Sequence, residues 1–122
     1  MMAELLSLLY VDDEPLNLML FKANFKNKFN VLTADSGYKG LEILNENPNT
    51  SVVISDMKMP GINGLEFIRL AKKDFPNISF YILTGFDITD EISQAIEEGI
   101  IHKYFRKPFD IKEIETTIHE LL

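Results

Sequence analysis

Short apolar runs alternate with longer amphipathic stretches along this sequence, and that alternation constrains the fold more than any other feature. The runs are Leu5–Val11, Asn30–Ala34, Val52–Ser55, Ser79–Leu83 and His102–Phe105. Three of the segments, LLSLLYV, VVIS and ISFYIL, are almost continuous in apolar residues, as strands covered on both faces must be.

The stretches between them carry helical spacing. Pro15 to Phe29 repeats Leu16, Leu20 and Ala23 with the aromatics Phe21, Phe25 and Phe29, and Pro15 suits a first helical turn. Ser36 is placed to cap a helix reaching Leu44, in which Tyr38, Leu41 and Leu44 share a face. Gly64–Phe75 (Leu65, Ile68, Leu70, Ala71), Thr89–Glu98 (Ile92, Ala95, Ile96) and Asp110–Leu122 (Ile111, Ile114, Ile118, Leu121) follow the same rule. Asp110 with Glu113 three residues on forms a capping-box pattern. Turn-forming residues fall between the elements, at Asn45–Thr50, Met59–Asn63, Pro76–Asn77, Gly85–Asp87 and Gly99. Strict alternation of this kind predicts an α/β fold: a doubly wound (βα)5 arrangement with a five-stranded parallel sheet and helices on both faces.

The 122 residues suit one domain, 1–122, and 46% hydrophobic residues suffice for a core. Without cysteine, a disulfide scaffold, a thiolate zinc site and a thiol nucleophile are excluded, and a cytoplasmic location is expected. A net charge of −7 argues against direct nucleic-acid binding by this domain. Met1–Tyr10 is apolar but short, lacks a basic flank and runs into Asp12 and Asp13, which argues against a signal peptide and a membrane span.

Ligands of open parallel sheets bind beyond the carboxyl ends of the strands. Here the first strand ends in Asp12-Asp13, the third in Asp56 and the fourth in Thr84, and Lys107 follows the fifth. Each residue has an ordinary reading. A lone Asp is usually a turn or cap residue, Thr84 a β-branched strand residue and Lys107 a solvated charge. Three carboxylates converging in one partly buried pocket repel one another, however, and remain ionised only with a cation. An all-oxygen donor set favours a hard ion, Mg²⁺ or another divalent cation such as Mn²⁺.

The segments VDDEP (Val11–Pro15), SDMKMPGINGLEF (Ser55–Phe67), LTGFD (Leu83–Asp87) and YFRKPF (Tyr104–Phe109) resemble, in order and spacing, the signature blocks of response-regulator receiver domains of two-component signalling. The resemblance covers nearly the whole chain and implies the flavodoxin-like strand order 2-1-3-4-5. By that resemblance Asp56 is the phosphoacceptor nucleophile, receiving a phosphoryl group from a sensor histidine kinase or a histidine phosphotransfer protein. Asp12, Asp13, Asp56 and the backbone carbonyl of Lys58 hold Mg²⁺; Thr84 and Lys107 contact the phosphoryl group. Thr84 and Tyr104 form the switch, read out on a face made by the fourth helix, the fifth strand and the fifth helix. In that family the bond before the proline, here Lys107-Pro108, is commonly cis, although X-Pro bonds in general are mostly trans. Lys58 and Phe86 flank the acceptor and control water access.

The implied role is a phosphoprotein signalling module in a phosphorelay, not an enzyme with an external substrate. It switches the binding of an effector or output domain, through a phosphorylation-dependent homodimer in some members. At 122 residues the length matches one receiver, so an output lies in a partner or elsewhere in a longer chain. Two other readings compete. A phosphorylation-independent scaffold would not need all five site residues. A Mg²⁺-dependent phosphatase with an aspartate nucleophile needs a second Asp two positions on, where Lys58 stands. A nucleotide-binding reading fails, since neither GxxxxGK nor GxGxxG is present.

Overall fold

Ten elements follow one another in the order that the hydropathy alternation requires. The computed structural model describes residues 5–85 and 88–120. They form β1 (Ser7–Val11), α1 (Pro15–Phe25), β2 (Asn30–Ala34), α2 (Gly37–Glu46), β3 (Val52–Asp56), α3 (Gly64–Asp74), β4 (Ser79–Thr84), α4 (Asp90–Glu97), β5 (Lys103–Arg106) and α5 (Ile111–Glu120). All strand pairs are parallel, in the order β2-β1-β3-β4-β5. The chain leaves β1 toward β2 and returns to β3 on the other side, so strand order reverses at the β1/β3 crevice. No helix among the described residues is long and apolar enough to cross a membrane.

Side chains alternate across the sheet, as the pleat demands. Leu8 and Tyr10 of β1 join Phe21, Phe25, Ile114 and Ile118 in a core under α1 and α5. Leu9 and Val11 join Leu44, Phe67, Ile68, Ile92 and Ala95 under α2, α3 and α4. The first core is aromatic: Phe21 lies 4.5 Å from Phe25 and 5.4 Å from Phe109, centroid to centroid. Truncating such a buried ring costs about 3–5 kcal/mol.

Helix starts other than that of α1, which begins at Pro15 without a side-chain cap, are fixed by side chains. Ser36 accepts the Lys39 amide, Thr89 the Ile92 amide and Asp110 the Glu113 amide. Asn63 and Glu66 exchange both bonds of a capping box at 2.8 and 2.9 Å.

Several expectations about helix faces and element ends are corrected. The first helix stops at Phe25, not Phe29, because β2 begins at Asn30 and the chain must reverse first. The amides of Lys28 and Phe29 both turn back to the Phe25 carbonyl. Leu16, Leu20 and Ala23 do not share the buried face; they are exposed, while Phe21 and Phe25 are buried. In a helix apolar nearly all round, spacing does not select the face, and the larger rings bury more area. Tyr38 and Leu70 likewise point outward. In α2 the buried positions are Gly37, Gly40 and Leu44. A β-carbon at Gly40 would stand 2.8 Å from the Phe67 ring, so the glycine lets α2 lie directly on α3. Leu5 and Leu6 precede rather than begin β1. Phe86, Asp87 and the last two residues of the expected fifth helix lie outside the described residues.

Candidate functional site

Parallel register brings the acids together. Val11 of β1 pairs with Ser55 of β3, so the next residues, Asp12 and Asp56, stand side by side at the carboxyl edge. The Asp12 amide still bonds to the Ala34 carbonyl of β2 at 3.1 Å, which carries the carboxylate to the sheet edge. Asp13 follows, half-buried, at the mouth. One carboxylate oxygen from each of Asp12, Asp13 and Asp56 lies within 4.8 Å of the others.

Lys107 reaches into this group from beyond β5. Its backbone amide donates to the Thr84 carbonyl at 2.8 Å, and the Lys107-Pro108 bond is cis. The ammonium stands 3.3 Å from Asp12 Oδ2 and 3.3 Å from Asp56 Oδ1. Three ionised carboxylates against one ammonium leave an excess of two negative charges, which is what a divalent cation neutralises.

The two paired acids differ in surroundings. Asp12 is wholly buried and satisfied by four donors: Tyr10 Oη at 2.6 Å, Asn17 Nδ2 at 3.2 Å and Lys107 at 3.3 Å on Oδ2, and the Glu14 amide at 3.0 Å on Oδ1. The Asp56 side chain retains 11% exposure. Burial pushes the Asp56 carboxyl above its ordinary value, with the Asp12 charge adding to the shift and Lys107 opposing it. Burial, then the bond and charge of Asp12, push the Tyr10 phenol far up, so it is a hydrogen-bond donor at any ordinary pH.

The loop between β3 and α3 is closed by the Gly64 amide, which donates to the Met57 carbonyl at 2.8 Å. Thr84 is buried at the end of β4 and lines, with Met57, Lys58, Asn63 and Glu91, a cavity of about 270 Å³; Met57 follows Asp56 in the chain. Tyr104 lies half-buried on β5, one strand removed from the acids, with the Arg106 guanidinium 6.0 Å from its ring centre. Sequence reasoning did not single out Tyr10 or Asn17. The only hint for Tyr10 was its place two residues before Asp12, on the same side of the pleat, which does not by itself bring a hydroxyl to a carboxylate.

What this arrangement can do chemically is hold a hard cation beside a partly exposed carboxylate flanked by a fixed ammonium. Comparisons with known proteins point the same way. The profile of the response regulator receiver domain matches residues 8–119. Sporulation initiation phosphotransferase F of Bacillus subtilis is 32% identical over 117 residues, covering 94% of this chain and 92% of that protein. A response regulator receiver domain protein from Clostridium thermocellum superposes with a TM-score of 0.88 at 36% identity, over 95% of this chain and 93% of that one. The response regulator TrrA of Thermotoga maritima, solved with Mg²⁺ and BeF, gives a TM-score of 0.81 at 27% identity, over 96% and 99%. The chain spans only 23% of another relative, the hydrogenase transcriptional regulatory protein HoxA of Cupriavidus necator. With the matched profile running through every strand and around the acidic edge, the chain belongs to the response-regulator receiver domains, the phosphorelay modules of two-component signalling.

Proposed function

We propose that Asp56 accepts a phosphoryl group from the phosphohistidine of a sensor kinase or phosphotransfer protein, and that the modified domain switches its binding of an effector or output domain. The observation that carries the reading is the Asp56 carboxylate itself: partly exposed, at the sheet edge, 3.3 Å from Lys107 and among two further acids. An Asp56 oxygen attacks phosphorus, the phosphorus–nitrogen bond breaks, and the leaving imidazole nitrogen takes a proton from solvent. A carboxylate is a weak nucleophile, so positioning and charge neutralisation must supply the rate.

Asp12, Asp13 and Asp56, with the Lys58 carbonyl, are the donors we assign to Mg²⁺, Asp13 more directly than Asp12. The oxygen-only donor set fits such an ion, and the ion supplies charge neutralisation at the transferring phosphoryl oxygens. Lys107, held by two carboxylates, is placed to exchange one of them for a phosphoryl oxygen. Thr84 offers the hydroxyl that meets the phosphoryl group from the β4 side, and Tyr104 then turns further inward. The α4-β5-α5 face is the readout surface in this reading. Lys58, at the wall of the cavity that Met57 and Thr84 also line, controls water access and hence phosphoryl lifetime.

The outer face of α1 supports an approach for the donor protein. Leu16 and Met19 are 59% and 62% exposed. Leu20 continues this ridge into a groove of about 460 Å³ that also reaches Lys107 and Phe109. An apolar ridge beside the acceptor is suited to a donor helix.

Incubation with acetyl phosphate, with and without Mg²⁺, tests the reading by intact mass. Wild type gains one phosphoryl group only with metal, and Asp56→Ala gains none. Equal modification of Asp56→Ala would remove Asp56 as the acceptor. Turnover of an external phosphomonoester at enzyme-like rates would replace the signalling reading with a phosphatase.

A further inference from the structure

The Asp12 side chain has no access to solvent, and a buried carboxyl group must find its hydrogen-bond donors within the protein. Two of its donors are uncharged side chains, and the Tyr10 hydroxyl, at 2.6 Å, is the shorter contact of the pair. The ring behind that hydroxyl is tightly held. It stacks on Phe21 at 4.1 Å and 12°, and Phe21 in turn meets Phe109, two residues past Lys107, at 5.4 Å. One aromatic cluster therefore locates both the tyrosine hydroxyl and the loop that delivers the lysine.

Packing alone does not explain a tyrosine here. A phenylalanine ring would cover Phe21 equally well, and only the hydroxyl touches Asp12. Without it, Oδ2 would keep Asn17 and Lys107, and the lysine would be drawn toward Asp12 and away from Asp56. With it, Asp12 is satisfied from within the core, and the lysine stays divided between two acids at equal distance.

We propose that Tyr10 is a positioning residue of the acidic site: its hydroxyl fixes the Asp12 carboxylate so that the three acids hold a divalent cation while Lys107 remains exchangeable. The proposal rests on the reading that the acidic trio binds such a cation. Partners that orient a ligand group commonly affect metal affinity by 10- to 100-fold.

Calorimetric titration of Mg²⁺ into the metal-free wild type and Tyr10→Phe tests it, with melting in chelator as a check on the fold and the Asp12 carboxyl ¹³C resonance as a second readout. The expected result is Mg²⁺ binding about tenfold weaker in Tyr10→Phe, with cooperative melting retained and the Asp12 resonance displaced before metal is added. Affinities equal within twofold, or an unmoved Asp12 resonance, would overturn the proposal while leaving the cation site in place. A wild type that takes up no Mg²⁺ would overturn the cation site and the proposal together.

Discussion

The α-carbon of Gly64 packs against the carbonyl oxygen of Asp56, so closely that a β-carbon at this position would overlap it. The start of α3 is thereby pressed onto the end of β3, directly against the Asp56 backbone. Gly64→Ala must displace one or the other. Overpacking of this kind costs about 1–3 kcal/mol, and urea unfolding should show a midpoint lowered accordingly. An unchanged midpoint would mean that the loop yields freely.

Lys107 neutralises part of the charge on two acids, one of them fully buried. Removing one partner of a wholly buried pair costs about 3–5 kcal/mol. The Lys107 side chain is 27% exposed and Asp12 keeps three other donors, so Lys107→Ala should cost nearer ~1–2 kcal/mol in chelator. Mg²⁺ should recover much of that loss, and phosphorylation by acetyl phosphate should slow at saturating metal. A variant as stable as wild type in chelator would show that the pair contributes nothing to the fold.

Tyr81 is fully buried in β4, and its hydroxyl is without a hydrogen-bond partner among the described residues. Burial pushes its phenol up to about 12 from the usual 10. A group with a raised folded pKa gives stability that is complete below its unfolded pKa and lost as pH rises through the folded one. This contribution is therefore intact below pH 10 and disappears toward pH 12, a span worth roughly 2–3 kcal/mol at 1.36 kcal/mol per unit. Tyr81→Phe should fall less steeply between those pH values. At pH 7 it should be about 1 kcal/mol more stable, since it removes an unsatisfied hydroxyl. Parallel denaturation curves at pH 7 and pH 11 check both points, and equal slopes for the two proteins would contradict them.

Tyr104 and Thr84 should respond together to the acceptor. Tyr104 has a half-buried ring, so the inward rotation proposed above would change its environment by a measurable amount. Its ring resonances should shift on full modification with a beryllofluoride phosphoryl mimic and stay fixed in Thr84→Ala. A wild-type ring unmoved at saturation would reject Tyr104 as part of the switch.

The sheet and the polar groups along its carboxyl edge were readable in advance because short apolar runs end abruptly in Asp12, Asp56 and Thr84. Helix faces were less readable. Leu16, Leu20 and Phe21 are all apolar, so the choice between them is made by packing area rather than by spacing. Gly37 and Gly40 lack side chains and leave no hydropathy signal, yet with Leu44 they form the buried face of α2. Tyr10 reads as one more core residue, and only the tertiary environment of Asp12 reveals what its hydroxyl does.

The apolar ridge of α1 also bears on how copies of this molecule behave in solution. Exposed leucine and methionine would ordinarily favour self-association, while a net charge of −7 opposes it through mutual repulsion. Added salt screens that repulsion without weakening apolar contact, so ionic strength sets the balance between colloidal solubility and clustering. The same net charge that keeps identical molecules apart attracts molecules of opposite charge, so salt has opposite effects on the two kinds of encounter.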